Sequence, residues 1–263
     1  MKLGVAFSVF SGAEFLKPAL LNVREFADHI VLVYSLQSNE GHPAPAWLLP
    51  LLRQMRAEGL ADEVVKHDIQ QWTRVPLEMQ TIQRVKRQMG RIACVNAGCD
   101  YYMTRDCDEF YDKEQFRQAL KVAEQYDLLI CGLYDYIKTP LARSRIISPL
   151  HVPVLHKSWL NMLPKDFGIL VDHERTCNAE SFHVLSHSEL MMHHMSTVRF
   201  NSAELARKFQ GHSHFTLLGE PAIQEYRDMI DHFDPSQMET VPDQFGILKY
   251  WQEEFGDLYA SLS

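Results

Sequence analysis

The chain has no apolar run close to the roughly 20 residues that a membrane-crossing helix requires. Its opening stretch, MKLGVAFSVFSGAEF, reaches Glu14 too early for a secretory signal. Both absences predict a cytoplasmic protein with no membrane span. The motifs G-x-x-x-x-G-K-[ST], G-x-G-x-x-G and G-x-S-x-G are missing, and with them the usual marks of P-loop hydrolysis, dinucleotide redox chemistry and serine hydrolysis. The five cysteines, Cys94, Cys99, Cys107, Cys131 and Cys177, form no C-x-x-C pair and sit mostly in apolar surroundings, so reduced core thiols and no disulfides are expected. Positive charge is also scarce: 26 Lys and Arg stand against 34 Asp and Glu, a formal charge of -8. That balance argues against a broad basic surface for nucleic acid or anionic lipid, and leaves only a local basic groove open.

What is present is enough for one main domain: 263 residues, 46% of them hydrophobic. The apolar run KLGVAFSVF, the helically spaced GAEFLKPALLNVREFA and the short run HIVLVYS form a β-α-β unit. A Pro-rich loop follows at His42 to Pro45, then a helix over about 47–58, a short strand at EVVKHD and a long amphipathic helix over about 77–97. CDYYMTRD returns as a strand, and a helix follows from Lys113 to about Gln125. YDLLICGLYDYI reads as a strand pair or one bent strand, and residues 139–189 as loops with short antiparallel strands. Helices over 203–211, 220–232 and 244–262 close the chain. Strand–helix alternation of this kind predicts an α/β fold whose mostly parallel sheet carries helices on both faces and binds ligands at the carboxyl ends of its strands.

On that edge falls TRDCDEFYD, with Asp106, Asp108, Glu109 and Asp112 within a few residues. Carboxylates so close repel one another and need a solvated loop, a basic partner or a bound cation. Asp106 and Asp108 can converge on one point if the backbone bends at the strand end, giving oxygen ligands suited to Mg²⁺ or Mn²⁺. The plain alternative is a solvated loop that caps the helix starting near Lys113.

The element D-x-D-E-F-Y, residues 106–111, resembles that of glycosyltransferases with the GT-A fold, family-2-like in organisation. KRQMGRIACVNAGCDYYMTRDCDEFYD is similar to that family's basic helix, small-residue turn, strand and acidic loop. YIKTPL and VPVLHKSW are similar to the acceptor-side segment of small bacterial and phage members, and HHMSTVRFN followed by ELARKF to their late His-x-Ser-x-x-Arg element. Arg105 departs from the pattern by setting a cation beside the diacid. The resemblance implies a catalytic domain over residues 1–215, divided into a donor-binding half, 1–112, and an acceptor half with the late histidine, 113–215. Residues 216–263 would be a helical extension packed on it.

The same resemblance implies a metal-dependent transfer of a sugar from a UDP- or GDP-linked donor. Asp106 would lie near ribose and metal, Asp108 would ligate the Mn²⁺ or Mg²⁺, and His194 would complete the protein ligands. His193 is the rival ligand, since adjacent residues of an extended segment face opposite ways. Arg87 matches the family's donor-contacting position, whereas Arg84 and Lys86 read as a solvated helix face. Arg199 and Lys208 are candidates to close over the diphosphate, and Phe7 and Ser8 to hold the base. For the base that takes the acceptor's proton, Asp166 and Asp172 are the candidates, with Glu174 and Asp135 behind them.

Three rivals remain. His183, His187, His193 and His194 would suit zinc if their segment were helical. A D-x-D at a strand end also serves a metal-dependent nucleotidyl or phosphoryl transferase, and a non-catalytic nucleotide-sugar-binding module is a third reading. The acceptor is a glycan hydroxyl or a hydroxymethylated base of phage DNA. For DNA, the stretch LARSRIISPLHVPVLHK, with Arg143, Arg145, His151, His156 and Lys157, would offer a local phosphate track.

Overall fold

A computed structural model describes residues 1–38, 41–68, 79–199, 208, 236 and 238–259. Its order is β1 (Leu3–Val9), α1 (Leu16–Val23), β2 (His29–Tyr34), α2 (Leu48–Ala57), β3 (Glu63–Lys66), α3 (Met79–Asn96), β4 (Tyr101–Asp106), β5 (Glu109–Tyr111), α4 (Lys113–Ala123), β6 (Leu128–Asp135), β7 (Ala142–Ser144), β8 (His151–Lys157), β9 (Phe182–Val184), β10 (Met191–His194), β11 (Met238–Thr240) and α5 (Ile247–Tyr259). The main sheet runs β3-β2-β1-β4-β8-β6-β10-β5, with β9 beside β6; β7 and β11 form a separate pair. Parallel pairing joins β1 to β2 and β4, β2 to β3, and β6 to β9 and β10. Among the described residues of the main sheet, antiparallel pairing joins β8 to its two neighbours and β5 to β10, and the separate β7–β11 pair is antiparallel too. This is the expected α/β architecture with a mostly parallel sheet.

Several sequence expectations shift at their edges. YDLLICGLYDYI is one strand with a register irregularity between Leu129 and Ile130. Within residues 139–189, β8 takes a place inside the main sheet, and β9 pairs parallel rather than antiparallel. The helices expected over 203–211 and 220–232 lie outside the described residues apart from Lys208, as does the boundary at 215/216. Among the described residues, no helix is long and apolar enough to cross a membrane.

Apolar spacing explains the layers. In α2, Leu48, Leu51, Leu52 and Met55 form one buried stripe at helical spacing. On α3, Gly90 lets the helix sit hard against the sheet, since a Cβ there would come within 2.4 Å of Ala6 Cβ. Helix α5 docks through Trp251, whose ring lies 4.9 Å from that of Phe15 and whose Nε1 donates to the Glu14 carbonyl at 3.1 Å. Phe245 stacks on Phe110 at 4.8 Å, so the C-terminal segment covers the far side of the acidic turn. All five cysteines are buried.

The strand order reverses at β1. β1 is flanked by β2 and β4, both parallel to it, and open α/β sheets bind ligands where connections leave in opposite directions. In register, Ser8 pairs with Asp106 at this carboxyl edge.

Candidate active site

Strand alternation sorts the acidic run into distinct roles. At the end of β4, Arg105 turns to the side opposite Asp106 and is fully buried. It lies over the Phe7 ring at 5.2 Å and the Tyr111 ring at 5.1 Å, and donates to Asn22 Oδ1 at 3.3 Å and to the Glu109 carbonyl. The unusual arginine therefore braces the turn from below and does not crowd the diacid. Phe7, expected to stack on a nucleotide base, is instead a core ring with no exposed surface. Ser8 stays at the edge, level with Asp106. Asp112 takes the helix-capping role, accepting from Glu114 N and Gln115 N at 2.9 Å each.

Asp106 and Asp108 do not share one point; each has its own cations. Asp106 Oδ2 accepts from Arg87 at 3.1 Å and from Arg175 at 2.9 Å. Against the upward push of burial, Arg87 and Arg175 hold its carboxyl well below the usual range. Asp108 Oδ2 accepts from Arg199 at 2.8 Å and from Lys208 at 3.1 Å. Burial would raise this carboxyl too, but Lys208, Arg199 and His194 keep it ionised. Arg199 is itself buried, lies 3.4 Å from Glu14 Oε1, and sits over the Phe15 ring at 5.5 Å.

Histidine alternation resolves as the extended reading requires. His193 turns inward, its Nδ1 2.8 Å from the Tyr136 hydroxyl, and burial pushes its pKa down to about 4. His194 turns to the carboxyl edge. In register it pairs with Glu109 of β5 on one side and with Asp135 of β6 on the other. Ligating atoms of Asp108, Glu109 and His194 lie within 4.8 Å of one another.

Glu109 is the least available of the three, because both its oxygens are gripped by Arg175, Oε2 at 2.9 Å and Oε1 more closely. Asp108 and His194 remain. No described residue donates to Asp108 Oδ1, and His194 Nδ1 lies 3.3 Å from Asp135 Oδ1, leaving Nε2 for a metal. Burial lowers the His194 pKa, and the hydrogen bond it donates to Asp135, with the charge of Asp108, more than reverses that. Asp108 and His194 would be the residues to hold a divalent ion there, one carboxylate and one imidazole being donors that such an ion accepts.

Two sequence readings need correcting. Lys86 is not on a solvated face: it is buried, donates to the Val9 carbonyl at 3.2 Å, and burial pushes its pKa down to about 8. Arg84 is half-buried and donates to the His173 carbonyl at 2.8 Å. The supposed phosphate track is also internally engaged. Arg143 pairs with Glu239 and lies 4.2 Å from the Tyr134 ring centre, and Arg145 donates to the Met238 carbonyl at 2.8 Å. His156 is buried, and Lys157 pairs with Asp127 at 3.0 Å. His151 Nδ1 lies 3.2 Å from the Pro149 carbonyl.

Nor do the four histidines assemble for zinc. His183 lies in β9 and stacks on Tyr126 at 5.0 Å, while His193 is turned inward.

Of the candidate bases, Asp166 is exposed and accepts from Gly168 N at 2.8 Å in its own turn. Asp172 caps the short turn His173–Arg175 and accepts from Arg175 Nε at 2.8 Å. Glu174 is buried 3.9 Å from Arg87. Arg175, which no motif marked, ties the Asp172 turn to Asp106 and Glu109 at once. An Asp one helical turn before an Arg, D-x-x-R, is the only local trace it leaves.

No protein-family model matches the chain, and no curated protein matches it. Among solved structures it resembles the S. aureus TarS fragment 1–349 in complex with UDP-GlcNAc, at 13% identity and a TM-score of 0.44, covering 100% of this chain and 90% of that one. Against the longer S. aureus TarS chain the identity is 14% and the TM-score 0.44, with 74% of this chain matched and only 37% of that chain spanned. The inositol-1-phosphate CTP transferase from T. maritima is similar at 7% identity and a TM-score of 0.40, covering 80% of this chain and 97% of that one.

Proposed function

We propose that this chain is a glycosyltransferase that moves a sugar from a UDP- or GDP-linked donor to an acceptor hydroxyl, with Mn²⁺ or Mg²⁺ at Asp108 and His194. The observation that carries this reading is the meeting of Asp108, from the turn after β4, with His194, from the end of β10, at the carboxyl edge where Arg199 and Lys208 also converge. The D-x-D-E-F-Y resemblance supports this chemistry, and the closeness of Asp108 and His194 supports this location.

A bound divalent ion would neutralise charge growing on the departing diphosphate without a proton. The chain's own residues prepare for that charge. Arg199 and Lys208 sit on one oxygen of Asp108 and can turn from it to phosphate oxygens, forming charge-assisted bonds. Asp106, held ionised by Arg87 and Arg175, stands level with Ser8 and is placed to accept from a ribose hydroxyl. Of the two favoured bases, Asp172 is the one tied to this edge, through Arg175. The acceptor is a glycan hydroxyl or a hydroxymethylated base, and the engagement of Arg143 with Glu239, Arg145 with the Met238 carbonyl and Lys157 with Asp127 favours the glycan.

The test is a screen of nucleotide sugars with Mn²⁺ and with chelator. Release of UDP or GDP that stops in chelator supports the assignment. Release of a nucleoside monophosphate or pyrophosphate would instead mark a nucleotidyl transferase, and binding without any release a non-catalytic module.

A further inference from the structure

We propose that Asp135 is a positioning residue of the cation site, acting through His194. This rests on the metal reading above and adds a residue to it. Asp135 ends β6, and the parallel register places it directly beside His194 of β10, on the side opposite Glu109. Its Oδ1 lies 3.3 Å from His194 Nδ1. The close set of ligating atoms includes Asp108, Glu109 and His194 but not Asp135, so the carboxylate touches the imidazole and not the place a metal would take.

A neutral imidazole has two uncertainties that weaken it as a ligand: the rotation of its ring and the nitrogen that carries the proton. A carboxylate accepting from Nδ1–H removes both, since it fixes the ring plane and leaves the Nε2 lone pair directed away from itself. Asp108 precedes Glu109 on the β5 side of β10, across from Asp135, and is fastened there because Met195 N donates to the Asp108 carbonyl at 2.8 Å. The backbone that carries His194 therefore also holds its partner ligand.

Asp135 had a competing role as acceptor base, and the two roles differ in what they change. A base alters the rate with metal bound; a positioning residue alters metal affinity. The Asp135 side chain is 42% exposed, so replacing it leaves no buried group behind.

The experiment measures Mn²⁺ affinity by electron paramagnetic resonance of the free ion, with UDP or GDP present, for the unaltered chain, Asp135→Ala, Asp135→Asn and His194→Ala. Asp135→Ala is expected to weaken Mn²⁺ binding about 10- to 100-fold. Asp135→Asn should weaken it less, because an amide oxygen still accepts from Nδ1. Nucleotide affinity in chelator should be unchanged in both. If Asp135→Ala keeps Mn²⁺ affinity within about twofold, a difference of only ~0.4 kcal/mol, while His194→Ala loses it, the assignment of Asp135 is overturned and the metal site stands. If the unaltered chain does not bind Mn²⁺, or His194→Ala binds it equally well, the metal reading falls and this inference falls with it.

Discussion

Arg199 donates to Asp108 Oδ2 at 2.8 Å across 91 positions of sequence, and Lys208 reaches the same oxygen at 3.1 Å. The central carboxylate of the acidic turn is thus already neutralised. A diphosphate donor would exchange partners with it and not fill an empty cationic cleft.

Asp108→Ala should therefore do two things. It should reduce Mn²⁺-dependent release of UDP or GDP to background. It should also destabilise the fold by about 3 kcal/mol, because Lys208 loses this carboxylate and buried Arg199 keeps, among the described residues, Glu14 and the carbonyls of Met195 and Val198. Urea denaturation checks the second effect. An unchanged midpoint would mean that water reaches these cations freely.

Arg175→Met should be more damaging than Arg175→Lys, and both should be less stable than the parent. The guanidinium spans Glu109, Asp106 and Asp172, a fork that an ammonium cannot reproduce. Leaving Glu109 buried without its partner should cost about 3–5 kcal/mol. Calorimetric or chemical unfolding measures it, and a loss below about 1 kcal/mol would show the network to be solvated.

Acid should destabilise the protein through its buried histidines. Burial pushes the His156 pKa down to about 4, with Nδ1 donating to the Lys157 carbonyl at 2.9 Å and Nε2 enclosed. An unfolded histidine titrates near 6.5. Between those values the unfolded chain binds a proton that the folded chain refuses, so stability falls as pH drops from about 6.5 to 4 and levels below. His156 alone contributes roughly 3 kcal/mol to that fall, with His67 and His193 acting in the same direction. Denaturation at pH 7, 5.5 and 4 should show the decline, and His156→Gln should flatten it. An equal slope in the variant would contradict the assignment.

Gly90→Ala should loosen α3 from β1. The added methyl would meet Ala6 Cβ at 2.4 Å and the Tyr102 hydroxyl at 3.2 Å. Overpacking of this kind costs about 1–3 kcal/mol. Because α3 also carries Arg87 to Asp106, the variant should bind donor more weakly as well as melt earlier, and a change in melting alone would uncouple the helix from the site.

The alternation of apolar runs and helical stripes in residues 1–113 made the first β-α-β units and the acidic strand end legible from sequence. So did the opposite facing of His193 and His194, which follows from extended backbone. What local pattern does not record is pairing between buried charges far apart in the chain. Arg175 meets Glu109 across 66 positions, with no periodicity to announce it. Lys86 was misread for the same reason: polar residues of a helix are taken to face water, but α3 turns this one toward strand ends crowded with carboxylates. A strand-end aromatic such as Phe7 suits a ligand or a core equally in sequence, and its complete burial under the Arg105 guanidinium decides for the core.

The line Glu109, His194, Asp135 runs straight across three adjoining strands, so its spacing is set by backbone pairing and not by rotamer choice. Sliding β10 along its neighbours by a single step would set His193, the inward imidazole, or Met195 beside Asp135 in place of His194. An insertion or deletion inside β10 would thus exchange the chemistry at this row as a whole, even where every amino acid named here is kept.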